Sequence, residues 1–285
     1  MPTPHLDPLA ALSARPAVVT VVAEARQACS ELRWHPALRR RTAEVRTEAC
    51  VRAAAASAEL EGVRLPLAQV RAMVAPSGGV AAAVPDVLDT AGAGTTAPGG
   101  VGPRDAVDAV VRGALRATLD THDLARRLSR SPGQVLARLH TLAAADLIGR
   151  GSTDTLGRPR PEAVARVEAL VRLLAGGTQA PGLVLAAVAD AEVMTTDAFV
   201  PGAGVVARAL ARAVVVGTGL DPLGVTIPER AGLVDRAGRD EALSGWTSRT
   251  AEGVEAWVVW WGRAVVTGAE HGRQVADEVL AGRLA

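Results

Sequence analysis

Residues Thr196-Asp197-Ala198-Phe199-Val200-Pro201-Gly202-Ala203-Gly204-Val205-Val206-Ala207-Arg208 decide how this chain is read. A proline and two glycines split by one alanine lead into an apolar run that carries arginines at 208 and 212. Glycines let the backbone approach a ligand closely, and the helix predicted over 204–216 turns its N-terminal amides toward any anion seated there. A weak phosphate nest is one reading of the loop. Gly-x-Gly has little specificity by itself, and the chain lacks the strand–turn–helix context and following acid of a dinucleotide fold.

On both sides of the loop Ala, Leu, Arg, Glu and Val recur at threes and fours, and no convincing run of alternating strand residues occurs. The expectation is an all-α chain, with helices over 104–128, 132–147, 161–174, 181–194, 204–216 and 252–280. Upstream, Pro36 suits a first helical turn and opens a pattern running to residue 60, which Gly62 closes. A short helix follows Pro66, using Leu67, Val70 and Met73. Residues 76–103, with Ala91-Gly92-Ala93-Gly94 and Pro98-Gly99-Gly100, read as a flexible connection. The chain thus divides into an N-terminal helical region, 1–75, that connection, and a helical core, 104–285. Val254, Trp257, Val258, Trp261 and Val265 share a helical face, which assigns the tryptophans to packing rather than ligand stacking.

With 285 residues, 49% of them hydrophobic, the chain can bury a sizeable core. Its 31 basic and 30 acidic residues leave a net charge of +1, so no global field draws it to nucleic acid or an anionic membrane. Lysine and tyrosine are absent and phenylalanine occurs once, a bias that fits GC-rich coding and weakens inference from any single Arg or Ala. Cys29 and Cys50 fall in different helices and read as reduced, buried thiols. Prolines, a histidine and an aspartate interrupt the first sixteen residues where a secretion signal needs an apolar core. Apolar runs elsewhere meet Asp190, Arg208 or Arg212 before the roughly 20 residues that span a bilayer. A cytoplasmic location without membrane contact is expected. No His/Cys cluster has metal-ligand spacing.

The 196–208 loop resembles the signature of the Fic (Fido) family, His-Pro-Phe-x-Asp/Glu-Gly-Asn-Gly-Arg-x-x-Arg. Phe199, Gly202, Gly204 and Arg208 match, Asp197 stands at the histidine, and Pro201, Ala203 and Val205 replace the acid, the asparagine and the first arginine. Ser57-Ala58-Glu59-Leu60-Glu61-Gly62 is similar to the family's inhibitory-helix pattern, Ser/Thr-x-x-x-Glu-Gly/Asn. Leu139-His140, Leu156-Gly157-Arg158-Pro159-Arg160 and Gly219-Leu220-Asp221-Pro222 look like flanking landmarks in the same order. The likeness runs over about 24–276. It implies a Fido-like helical bundle with N-terminal helices that include an inhibitory one.

The resemblance also implies roles. Gly202, Gly204 and Arg208 would bind nucleotide phosphate, while Ser57, Glu61 and Gly62 would form the inhibitory motif, Glu61 pairing with Arg208. An ordinary interhelical ion pair between Glu61 and Arg208 is the plainer alternative. The family's histidine takes a proton from a target hydroxyl, a task for a group titrating near neutrality. Asp197, at that position, is the one catalytic candidate, although an unperturbed carboxylate near ~3.9 is a weak base toward an alcohol. Pro201 offers Mg²⁺ no side-chain oxygen. Ala203 and Val205 can pack but cannot orient phosphates. The expectation is therefore a pseudoenzyme without adenylyltransferase (AMPylation) activity, binding a partner protein, a second copy or a nucleotide such as ATP, without a metal site. A transferase using ATP or another phosphate donor with altered residues remains the first alternative, drawing on Asp197, Glu192 and Asp190.

Of the remaining residues, His140 reads as a packing histidine, His35 as a helix-entry residue and His271 as solvent-exposed. Arg158 and Arg160 read as solvated loop arginines. Residues 124–148 form a second alternative, since Leu124 to Ile148 is similar to the helix-turn-helix of winged-helix repressors, with Ser131-Pro132 starting a recognition helix and Arg127, Arg130 and Arg138 facing phosphates. Against DNA binding, residues 149–161 lack the alternating pattern of a wing. Nearby acids also offset the arginines.

Overall fold

The computed structural model describes residues 7–74, 103–148 and 153–284. Its main helices are α1 (Pro16–Arg33), α2 (Thr42–Leu60), α3 (Pro103–Ala125), α4 (Pro132–Ala144), α5 (Val164–Arg172), α6 (Gly182–Thr195), α7 (Ala203–Gly217), α8 (Glu229–Val234), α9 (Arg236–Thr247) and α10 (Ala251–Leu280). No strand occurs among the described residues. No helix among them is long and apolar enough to cross a membrane. The Gly/Pro-rich connection placed at 76–103 lies outside the described residues except for Pro103, which begins α3.

The bundle is organised around α7, whose residues are all buried except Gly204 and Gly217. A helix apolar all round must sit inside others, and α7 packs on α2, α3, α4 and α6. Helix α6 is apolar in the same way and joins α7 as a hairpin through residues 196–202. At the opposite edge α10 lies along α1, and α8 and α9 also pack on it. Trp257 is fully buried and donates its indole N–H to the Ala187 carbonyl at 2.8 Å, while Trp261 donates to Asp190 Oδ2 at 3.2 Å. The tryptophans at 257 and 261 therefore pack, as their spacing predicts. One contiguous core joins α1 residues such as Val18 and Val21 to Leu115, Leu139 and Leu210 of the later helices.

Three local differences from the sequence reading have physical causes. The helix expected over 36–60 breaks at Arg41 (φ −124°, ψ 30°), whose guanidinium bonds to Glu44 and to the Val279 carbonyl. Helix α9 begins at Asp235, whose carboxylate accepts the Gly238 N–H at 3.0 Å and satisfies a first-turn donor. The turn between α7 and α8 is tied by Arg212, which donates to the Gly224 and Thr226 carbonyls at 3.0 and 2.9 Å. Asp221 accepts the N–H groups of those same two residues at 3.1 and 2.7 Å.

Of residues 124–148, read as a helix-turn-helix, the first two end α3 and α4 is the one full helix. Val135, Leu136, Leu139, His140 and Leu142 of α4 are buried in the bundle, and Arg138 is paired with Asp120 at 3.2 Å. Residues 153–155 and 161–163 form 3₁₀ turns in the region where a wing would stand. Cys29 and Cys50 are free and buried, and burial pushes the Cys29 thiol up to about 12.

Candidate functional site

The loop between α6 and α7 carries the candidate residues. Phe199 is buried at its base and packs on the His140 ring at 5.3 Å between centroids, tilted by 57°. His140 is fully buried and accepts the Gly157 N–H at Nδ1, 3.1 Å away. Burial lowers its pKa, with the Pro201 backbone the lesser, opposing influence. A neutral packing histidine is the result, matching the sequence reading. Arg160 donates its backbone N–H to the Ala198 carbonyl at 2.8 Å, so the segment after α4 braces the loop.

Gly202 precedes α7 at φ 97°, ψ 17°, a left-handed conformation that side chains rarely adopt. The loop then turns directly into the helix. Gly204, one turn ahead of Arg208, serves by its lack of bulk. A methyl group there would overlap Glu61 Oε1 and lie 3.2 Å from Arg208 Nη1. The glycine therefore makes room for the acid that approaches from α2.

Arg208 is only 8% exposed and is bound by three acceptors from one short segment. Its Nε donates to Ser57 Oγ at 2.9 Å, and its Nη2 donates to the Ser57 carbonyl at 3.0 Å and to Glu61 Oε1 at 2.6 Å. Glu61 retains 32% side-chain exposure and follows the last turn of α2. The structure thus brings Ser57, Glu61, Gly204 and Arg208 together, with Gly202 one step earlier. Gly62, at φ 84°, ends α2 without entering this contact.

The carboxylates near the loop lie apart from this cluster. Asp197 is exposed, at φ 46°. Glu192 is held by Arg166, with Nε 2.7 Å from Oε2 and Nη2 2.6 Å from Oε1. Asp190 is 3% exposed, and burial raises its pKa despite the partly offsetting charges of Arg239 and Arg208. Its Oδ1 has no hydrogen-bond partner. Asp190, Arg208, Arg212 and Trp261 line one small cavity of about 40 Å³ beside the clamp that Ser57 and Glu61 form on Arg208, a volume that suits water rather than a larger ligand. Pro201 gives this loop no side-chain oxygen, and among the described residues no group of three or more His, Cys, Asp or Glu could hold a metal ion.

The sequence reading missed the double grip of Ser57, hydroxyl and carbonyl together, and the Arg212–Asp221 lock beneath it. His35 accepts the Ala37 N–H at Nδ1, 3.2 Å away, as a helix-entry residue. His271, expected to be exposed, is half-buried, its Nδ1 bonded to the Thr267 carbonyl at 2.9 Å.

No protein-family model matches the chain, and no curated protein does so either. Among solved structures, a Fic family protein from Desulfovibrio desulfuricans G20 is similar, with a TM-score of 0.58 and 19% identity, over 95% of this chain and 76% of that one. At that identity the likeness speaks to architecture: this chain has an all-α, Fido-like fold.

Proposed function

We propose that this chain is a Fido-fold pseudoenzyme that does not transfer AMP and that retains a phosphate-facing loop held by Glu61 for binding a nucleotide or a partner. The observation that carries this reading is the composition of the loop. Its backbone is kept, with Gly202 at φ 97° and the α7 N-terminus beneath it, while the positions for base, metal ligand and phosphate donor hold an exposed Asp197, Pro201, Ala203 and Val205. No other nearby carboxylate replaces the base, because Glu192 is bound to Arg166 and Asp190 is buried against Trp261. Arg208 is the one charged side chain of the loop that could meet a phosphate, and Glu61 occupies it. Removing that carboxylate would free a guanidinium suited to oxyanions.

Calorimetric titration with ATP tests the reading, using wild type and Glu61→Gly, each with and without Mg²⁺. The expected outcome is binding that appears or tightens in Glu61→Gly, does not depend on Mg²⁺, and disappears when Arg208→Ala is added. Labelled ATP should leave no label on the protein. Stoichiometric self-modification by Glu61→Gly, lost with Arg208→Ala, would overturn the pseudoenzyme reading in favour of a transferase with altered residues.

A further inference from the structure

A groove of about 670 Å³ opens on the other side of α2, between that helix, the 64–67 segment, α8 and α10. Its volume falls in the range that accommodates small organic ligands. On α2 the lining positions are 52, 55, 56 and 59, the i, i+3, i+4, i+7 pattern of one helical face. At about 100° per residue, Ser57 and the following Glu61 point to the opposite face, toward Arg208. The groove is therefore a separate place from the loop.

Its chemistry is divided. Ala55, Leu65 and Leu67, each partly exposed, contribute apolar surface, whereas Arg64, Arg230 and Gln274 bring hydrogen-bond donors. Among the described residues the Arg230 guanidinium has no hydrogen-bond or ion-pair partner, although the residue is half-buried. Arg64 is 82% exposed, and its nearest carboxylate, Glu59, lies 3.6 Å away. A pair so exposed contributes little and can be displaced. Arg52, by contrast, is bound by Glu48 and Glu278 and forms a fixed wall.

We propose that this groove binds a small aromatic anion, a flat ring bearing one phosphate or carboxylate. The ring would lie on the apolar surface, and the anion would be met by the Arg230 and Arg64 guanidinium groups, whose planar forks match an oxyanion bidentately. Gln274 adds an amide donor at the mouth. Neither the loop nor Arg208 takes part.

Phenyl phosphate and inorganic phosphate are the probes, titrated calorimetrically into the full chain. The expected result is that phenyl phosphate binds at least about tenfold more tightly than inorganic phosphate. Arg230→Ala should weaken it about tenfold or more, and Arg208→Ala should leave it unchanged. Gln274→Glu, a substitution at an exposed position that leaves packing intact, should weaken it as well by placing a carboxylate at the mouth. Far-UV circular dichroism verifies that each variant is folded. Absence of binding up to about 10 mM phenyl phosphate would overturn the proposal. So would affinities equal in wild type, Arg230→Ala and Gln274→Glu, or binding lost in Arg208→Ala, which would assign the anion to the loop instead.

Discussion

Gly204→Ala should open the Glu61–Arg208 contact without altering a charge. The added methyl would occupy the place of Glu61 Oε1, and Glu61 sits at the end of a partly solvated side chain that can swing away. Two effects then oppose each other. Alanine in a helix is favoured over glycine by about 0.5–1 kcal/mol. Losing the ion pair costs about 0.5–1 kcal/mol, since Glu61 is nearly a third exposed and Arg208, though buried, keeps its two bonds to Ser57. The net change in wild type is therefore close to zero. In a Glu61→Ala background there is no carboxylate to displace, and the same Gly204→Ala change should stabilise by the full ~0.5–1 kcal/mol. The coupling between the two sites is then about 0.5–1 kcal/mol, within the range for contacting residues. Urea denaturation of the four proteins measures it. A coupling below about 0.3 kcal/mol, typical of independent sites, would refute the argument, because it would mean that Glu61 does not hold the position over Gly204.

Other consequences follow from the same contacts. Ser57→Ala removes the acceptor of Arg208 Nε and leaves a buried charged donor unpaired, so urea denaturation should show a loss of about 1–3 kcal/mol. Asp190 has a folded pKa raised by burial, so the native state holds the extra proton and stability falls as pH rises above the unfolded value of 3.8. Asp190→Asn keeps an oxygen for Trp261 and should gain stability relative to wild type as pH rises above 3.8, which urea denaturation at about pH 4 and about pH 7 reads directly. Equal pH slopes for the two proteins would exclude that origin. Native protein at pH 8 should leave both thiols unreactive to an aromatic disulfide reagent, with both reacting after denaturation, because Cys29 and Cys50 are buried and burial raises both pKa values.

Much of the fold was legible because the strongest signals are periodic. Val254, Trp257, Trp261 and Val265 gave α10, and the prolines gave the starts of α4 and α6 to within a residue, while α4 ends three residues short of the expected 147. The contact between Glu61 and Arg208 was legible only through a resemblance of motifs 147 residues apart, for no local rule pairs them. Helix α1 carries Pro16 at its start and buried Val18, Val21, Val22, Ala25 and Cys29 at helical spacing, a pattern of the same kind as that of α10. Helix α9 was harder, with Gly238 and Gly245 diluting its propensity, although Asp235 is a capping signal. The Arg212 lock was hidden by composition, since among 31 basic residues no single arginine stands out until its buried carbonyl partners are seen. The groove at Arg230 combines residues 52–67 with two segments more than 150 positions further on, and has no sequence signature at all.

Burial of α7 from Val205 to Val216 has a consequence for how this protein can be watched in solution. Amide protons in the middle of a helix enclosed on every side exchange with solvent only when the whole molecule unfolds, so those of Ala207 to Val214 would serve as an internal gauge of global stability. Amides at the end of α2, where Glu61 and Gly62 are exposed, would exchange through local fraying. A ligand that slows both sets equally stabilises the fold as a whole. One that slows only the α2 end closes the clamp, and a single deuterium-labelling time course distinguishes the two.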